Sequence, residues 1–260
     1  MMKKVGIVLS GGGARGFGHL GVLKALEEID ITPSIMAGSS AGAIVAAFYS
    51  AGYEPEEIME IARKGNFFSM SNLMLRKASG LFAMKSFEQI YLKCFPKDLI
   101  EALPIPVCIA ATDMIKAKTK YFTEGSLAKA LMASSCLPLV FEPIHYNDGI
   151  YLDGGILNNL PVEAVVGKCD FVIGVHVNEM SPKLADFKLK DMLDRTFHLT
   201  MSKTVYDKAS ECDLFIDPPN MSRFGMFEVQ RAEEIFLYCY HYTKELLNQK
   251  EVFDCIEDLV

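Results

Sequence analysis

The chain has 260 residues, of which 50% are hydrophobic and 23% charged, with a formal net charge of −7 at pH 7. That length suits one substantial α/β domain with a well-buried core, and the composition excludes a mainly disordered chain. The negative balance, with no cluster of Lys and Arg, argues against nucleic acid as a partner, because a phosphate backbone rewards concentrated positive charge.

The opening MMKKVGIVLSGGG sets two lysines before an apolar run, as a signal peptide does. The run Val5 to Leu9 is too short for a signal's apolar region and stops in glycines, so it reads as a buried first strand. Gly11, Gly13 and Gly16 then fit G-x-G-x-x-G, and GHLGVLKALEEI behind them has helical apolar spacing. PSIMA is a short strand, and AGAIVAAFYSAG a small-residue helix ending at Gly52. Residues 65–85 are rich in Phe, Met and Leu without a clean period. They read either as core or as a mobile cap hinged at Gly65 and Gly80, with Lys64, Arg76, Lys77 and Lys85 placed to meet anionic head groups.

Further buried strands are expected at 105–113 and 170–177. Between them TKYFT, PIHYN and GIYLD read as short strands, with a hairpin turn at Asn147 to Gly149. Residues 179–212 read as a polar loop and then a helix, and EVQRAEEIFLYCYHYTKELL as a long amphipathic helix. The βαβα order predicts an α/β fold over 1–260, a mostly parallel sheet flanked by helices.

The glycine loop has two chemical readings. A dinucleotide-binding loop also needs a carboxylate about 20 residues further on, to hold a ribose hydroxyl. That place holds IMAGSSAGA, with no acid. It holds instead Gly38-Ser39-Ser40-Ala41-Gly42, a G-x-S-x-G between a predicted strand and a predicted helix. Such an elbow exposes Ser40 on a sharp turn with a helix dipole aimed at it; a helix-capping serine is the competing reading. Loops after neighbouring parallel strands lie at one sheet edge, so the Gly11–Gly13 amides can face a carbonyl attacked by Ser40. On this reading the loop cradles an oxyanion rather than a pyrophosphate.

A nucleophilic serine needs a base. Among the histidines, His19, His145, His198 and His241 read as structural or surface residues, and His176, late in a strand, is the best placed. Asp153 ends a short strand at a Gly154-Gly155 turn, and reads equally as a base or as a turn aspartate bonding its own backbone.

Four blocks together carry a family resemblance: GGGARG at 11–16, GSSAG at 38–42, ASSCLPLVFEPI at 133–144, and Asp153-Gly154-Gly155 followed by NNLP. In this order they resemble the patatin-like phospholipase family. The resemblance implies a three-layer α/β sandwich and a serine acyl hydrolase working through a Ser-Asp dyad, with Ser40 as nucleophile and Asp153 as general base. It further implies an oxyanion hole at Gly11, Gly12 and Gly13, with Arg15 holding that loop or its anion. Gly38 and Gly42 belong to the elbow and Gly154 and Gly155 to the turn after the acid. It implies phospholipid or other acyl-lipid substrates and neither metal nor cofactor, while the apolar and basic 65–85 segment gives the expectation of peripheral membrane contact. Cys136 departs from the pattern, standing where small residues are usual. Two other readings stay open: a nucleotide- or cofactor-binding α/β protein using residues 11–16, and a patatin-like scaffold that binds lipid without turnover. Seven scattered cysteines without CxxC spacing read as reduced core thiols, and the cytoplasm as the expected compartment.

Overall fold

The computed structural model describes residues 3–65, 84–179 and 205–259, together with 192, 195, 199, 201 and 202. The interior of the apolar stretch 65–85 lies outside the described residues, as does most of the loop and helix expected over 179–212, His198 included.

The chain alternates strand and helix as its apolar periods predict. Strand β1 (Val5–Leu9) leads through the glycine loop into helix α1 (Phe17–Glu27). Then come β2 (Ile35–Ser39), α2 (Ala41–Ser50), α3 (Pro55–Lys64) and α4 (Lys85–Cys94). The second half adds β3 (Val107–Asp113), β4 (Lys118–Phe122), α5 (Leu127–Ser134), β5 (Ile144–Tyr146), β6 (Gly149–Asp153), β7 (Phe171–Val175) and β8 (Leu214–Ile216). A long helix, Ala232–Leu247, follows. Helices α3, α4 and α5 and strand β8 are additions to the elements expected from sequence. β8 has only three residues, too short to show a period, whereas α3 buries Pro55, Ile58 and Ala62 and α4 buries Phe87 and Tyr91 against the core.

The eight strands form one mixed sheet in the order β5-β6-β3-β2-β1-β7-β8, with β4 also paired to β3. β3, β2, β1, β7 and β8 are mutually parallel, while β4, β5 and β6 run antiparallel to their partners at one side. Alternation along each strand divides the interior into two apolar layers. Val5, Ile7, Leu9, Met36, Ile109, Ile173 and Val175 pack beneath α1, α2, α5 and the long helix. Val8, Ala37, Cys108 and Val172 face the other way, onto Leu160, Val162, Val165 and Val205. This is the three-layer sandwich expected, with a thinner second cover. Of the cysteines, Cys108, Cys136 and Cys239 are buried, Cys94, Cys169 and Cys212 half-buried and Cys255 exposed, all as free thiols, so the expectation of core thiols holds for only part of the set.

Candidate active site

The site begins where two strands meet end to end. β2 runs along β3 until Ser39 lies opposite Ala110. β6 runs the other way along β3 and ends with Asp153 opposite Ala111. β4 occupies the remaining edge of β3 from Ile109 to Asp113, so β2 and β6 share one edge and converge on each other. Ser40 follows the end of one and Asp153 terminates the other. Their side chains join there: Ser40 Oγ donates to Asp153 Oδ2 at 2.7 Å.

Ser40 takes φ 53° and ψ −122°, a left-handed conformation unusual for a residue with a Cβ. The turn is tight enough that its flanking residues must be glycine. A Cβ on Gly38 would lie 2.5 Å from the Gly42 carbonyl carbon, and one on Gly42 would run into the carbonyl oxygens of Leu9 and Ser10. Although Ser40 stands at the start of α2, its hydroxyl makes no capping bond, so the helix-capping reading does not describe it. The strained backbone is held from behind. Ser40 N–H donates to Ser134 Oγ at 2.8 Å, and Ser134 Oγ–H donates to the Ala110 carbonyl at 2.6 Å.

Asp153 is buried, and its two carboxylate oxygens face different donors. Oδ1 accepts the Gly155 N–H at 2.8 Å, the turn bond, while Oδ2 faces Ser40. Thr112 Oγ1 donates to the Asp153 carbonyl at 2.8 Å, and Asp153 N–H donates to the Cys136 carbonyl at 2.9 Å. Burial pushes the Asp153 carboxyl up to about 6, against the opposing pull of the Ser40 and Gly155 donors. It is therefore ionised at neutral pH and more basic than an exposed aspartate. The Cys136 thiol, fully buried beside it, is pushed up to about 12 and stays protonated.

The glycine loop stands against the serine: a Cβ on Gly11 would come within 3.0 Å of Ser40 Cβ. Its three amides are not equivalent. Gly11 N–H is already given to Asn159, to the side-chain Oδ1 at 3.0 Å and the main-chain oxygen at 3.3 Å. That departs from the expectation of three oxyanion donors. Gly12 and Gly13 N–H have no partner among the described residues, and the first N–H groups of α2 lie beside Ser40. Arg15 is buried, its Nε donating to the Phe224 carbonyl at 2.7 Å and one terminal nitrogen to Asn178 Oδ1 at 2.6 Å. These bonds tie the glycine loop to the segments at Asn178 and Phe224.

None of the described histidines touches Ser40 or Asp153. His176 Nδ1 pairs with Asp217 at 3.0 Å. His19 Nε2 donates to the Ser10 carbonyl at 2.7 Å, and burial pushes its pKa down to about 4, so it is neutral. His145 and His241 are exposed. Sequence alone gives no role to Ser134, Asn159 or Asn178. Ser134 and Asn159 fall inside the ASSC and NNLP blocks, whose spacing does not say which hydroxyl or amide turns inward.

A family model described as patatin-like phospholipase matches residues 7–166. An uncharacterized NTE family protein of Mycobacterium tuberculosis is 32% identical over 181 residues, which are 67% of this chain and 49% of that protein. The lysophospholipase NTE1 of Kluyveromyces lactis is 30% identical over 187 residues, 70% of this chain and 13% of that protein. The chain thus spans about half the length of the first relative and far less of the second. Among solved structures, VipD from Legionella pneumophila aligns with a TM-score of 0.53 at 15% identity over 95% of this chain and 67% of its own, a likeness of fold alone.

Proposed function

The chain belongs to the patatin-like phospholipase family, and on that premise we propose that it is a serine acyl hydrolase cleaving carboxylic esters of phospholipids or other acyl lipids. The observation that carries the reading is the 2.7 Å hydrogen bond from Ser40, on its strained elbow, to the buried carboxylate of Asp153. Ser40 Oγ attacks the acyl carbonyl carbon as its proton passes to Asp153 Oδ2. The negative charge arising on the carbonyl oxygen meets the amides of Gly12 and Gly13 and the dipole of α2. As the intermediate collapses, Asp153 returns the proton to the departing alcohol oxygen, leaving an acyl-serine. Water then gives its proton to Asp153 and attacks the acyl carbon, and as this second intermediate collapses Asp153 returns that proton to Ser40 Oγ, freeing the fatty acid and restoring both residues. One carboxylate performs both proton transfers, and the site's chemistry calls for neither histidine nor metal.

The lysophospholipase name of the Kluyveromyces lactis relative favours single-chain phospholipids as substrates. In this reading the enzyme meets its lipid at a membrane surface from the cytoplasmic side. No helix among the described residues is long and apolar enough to cross a membrane. The test is a fluorophosphonate probe together with hydrolysis of a p-nitrophenyl ester and of lysophosphatidylcholine. Ser40 should carry the probe, and Ser40→Ala should lose labelling and hydrolysis while remaining folded by circular dichroism. Absence of label, or more than trace turnover in Ser40→Ala, would overturn the assignment.

A further inference from the structure

Asn159 follows the Asp153 turn and is completely buried. Its Oδ1 accepts the Gly11 N–H at 3.0 Å, and the donor fixes which end of the carboxamide faces the loop. Two close approaches place this carboxamide. The position a Cβ would take on Gly11 is 2.6 Å from Asn159 Oδ1 and 3.0 Å from Ser40 Cβ. The corresponding position on Gly155 is 2.8 Å from Asn159 Oδ1 and 3.1 Å from Asp153 Oδ1. Asn159 therefore lies between the loop behind the nucleophile and the turn behind the base.

Its other end is unusual. Asn159 Nδ2 is buried and has no hydrogen-bond partner among the described residues. An unpaired buried donor is destabilising, so a residue that merely fastened the loop would be better without it. An aspartate would accept the Gly11 N–H equally well and leave no orphan donor. It would also set a second negative charge beside Asp153, and like charges disfavour ionisation. An amide is the acceptor that brings no charge.

We propose that Asn159 is a positioning residue of the oxyanion loop: by drawing the Gly11 N–H inward it leaves the Gly12 and Gly13 amides facing the acyl oxygen, and it does so without a charge beside Asp153. The inference rests on the hydrolase reading. Among the described residues, the titratable group facing Asp153, apart from Ser40, is the Cys136 thiol, protonated throughout the useful pH range.

The experiment measures kcat and KM against pH for the wild type, Asn159→Ala and Asn159→Asp on a soluble p-nitrophenyl ester, with thermal unfolding of each. Asn159→Ala should lower the plateau kcat by about 100-fold, the loss typical of a disturbed oxyanion hole. Its KM should stay within about threefold, because the disturbed contact forms in the transition state. Asn159→Asp keeps the acceptor, so its plateau should recover to within about tenfold of wild type while the acid limb moves to higher pH. A kcat for Asn159→Ala within about threefold of wild type, or a loss confined to KM, would overturn the proposal. So would an Asn159→Asp plateau as low as that of alanine with an unmoved limb. If Asn159→Ala does not fold, the aspartate variant decides alone. A wild type that neither hydrolyses ester nor labels at Ser40 would instead bring down the hydrolase reading itself.

Discussion

Asp153→Asn separates what the buried carboxylate does for the reaction from what it does to the fold. In the native protein burial moves its pKa from an ordinary 3.8 to about 6. That difference corresponds to about 3 kcal/mol between the protonated and ionised forms, an upper figure since the structure can relax around the charge. The raised native value sets the sign. Between pH 4 and pH 6 the folded protein holds this proton more tightly than the unfolded chain. The contribution is therefore fully present below the unfolded value and is lost as pH rises through about 6. The asparagine of the variant does not titrate, so other carboxyls, common to both proteins, cancel in the comparison. Urea unfolding of the two proteins from pH 4 to pH 8 should show the stability difference shifting by about 2 kcal/mol in favour of the variant, nearly all of it below about pH 6.5. Hydrolysis should vanish in the variant. In the wild type kcat/KM should fall through a single-proton limb near pH 6, activity being lost on the acid side because a protonated Asp153 cannot accept the Ser40 proton. Parallel stability curves, or a wild-type rate that is flat from pH 5 to pH 8, would refute the argument that this buried carboxylate is the base.

Ser134→Ala should leave the Ser40 N–H without its acceptor and remove a donor from the Ala110 carbonyl, lowering stability by about 1–3 kcal/mol in urea and kcat by about tenfold as the elbow loosens. Gly42→Ala forces a Cβ into the Leu9 and Ser10 carbonyls, so circular dichroism should show a protein destabilised by more than about 3 kcal/mol or unfolded. His176→Ala breaks the bond to Asp217 and the stacking on Phe215, which should reduce stability by about 1–2 kcal/mol while kcat in an ester assay stays within about twofold of wild type. A loss of kcat there as large as that of Asp153→Asn would put a histidine into the mechanism.

What the sequence determined by itself is local. The β-branched run of β1, the glycines that follow it, the small residues around Ser40 and the Asp-Gly-Gly turn are each spelled within a few neighbouring positions, because steric demands on a tight turn act between neighbours. The apolar runs of the central strands likewise marked a buried sheet, whereas β8, with three residues, is too short to show a period. The tertiary structure decided what lies between distant segments. Ser40 and Asp153 are 113 positions apart and meet only because β2 and β6 share one edge of β3 and stop at Ala110 and Ala111. The same packing turned Gly11 toward Asn159, bound Arg15 to Phe224 and Asn178, and set Ser134 under the elbow. A hydrogen bond depends on where a donor points after the chain has folded, and spacing along the chain carries no record of that direction.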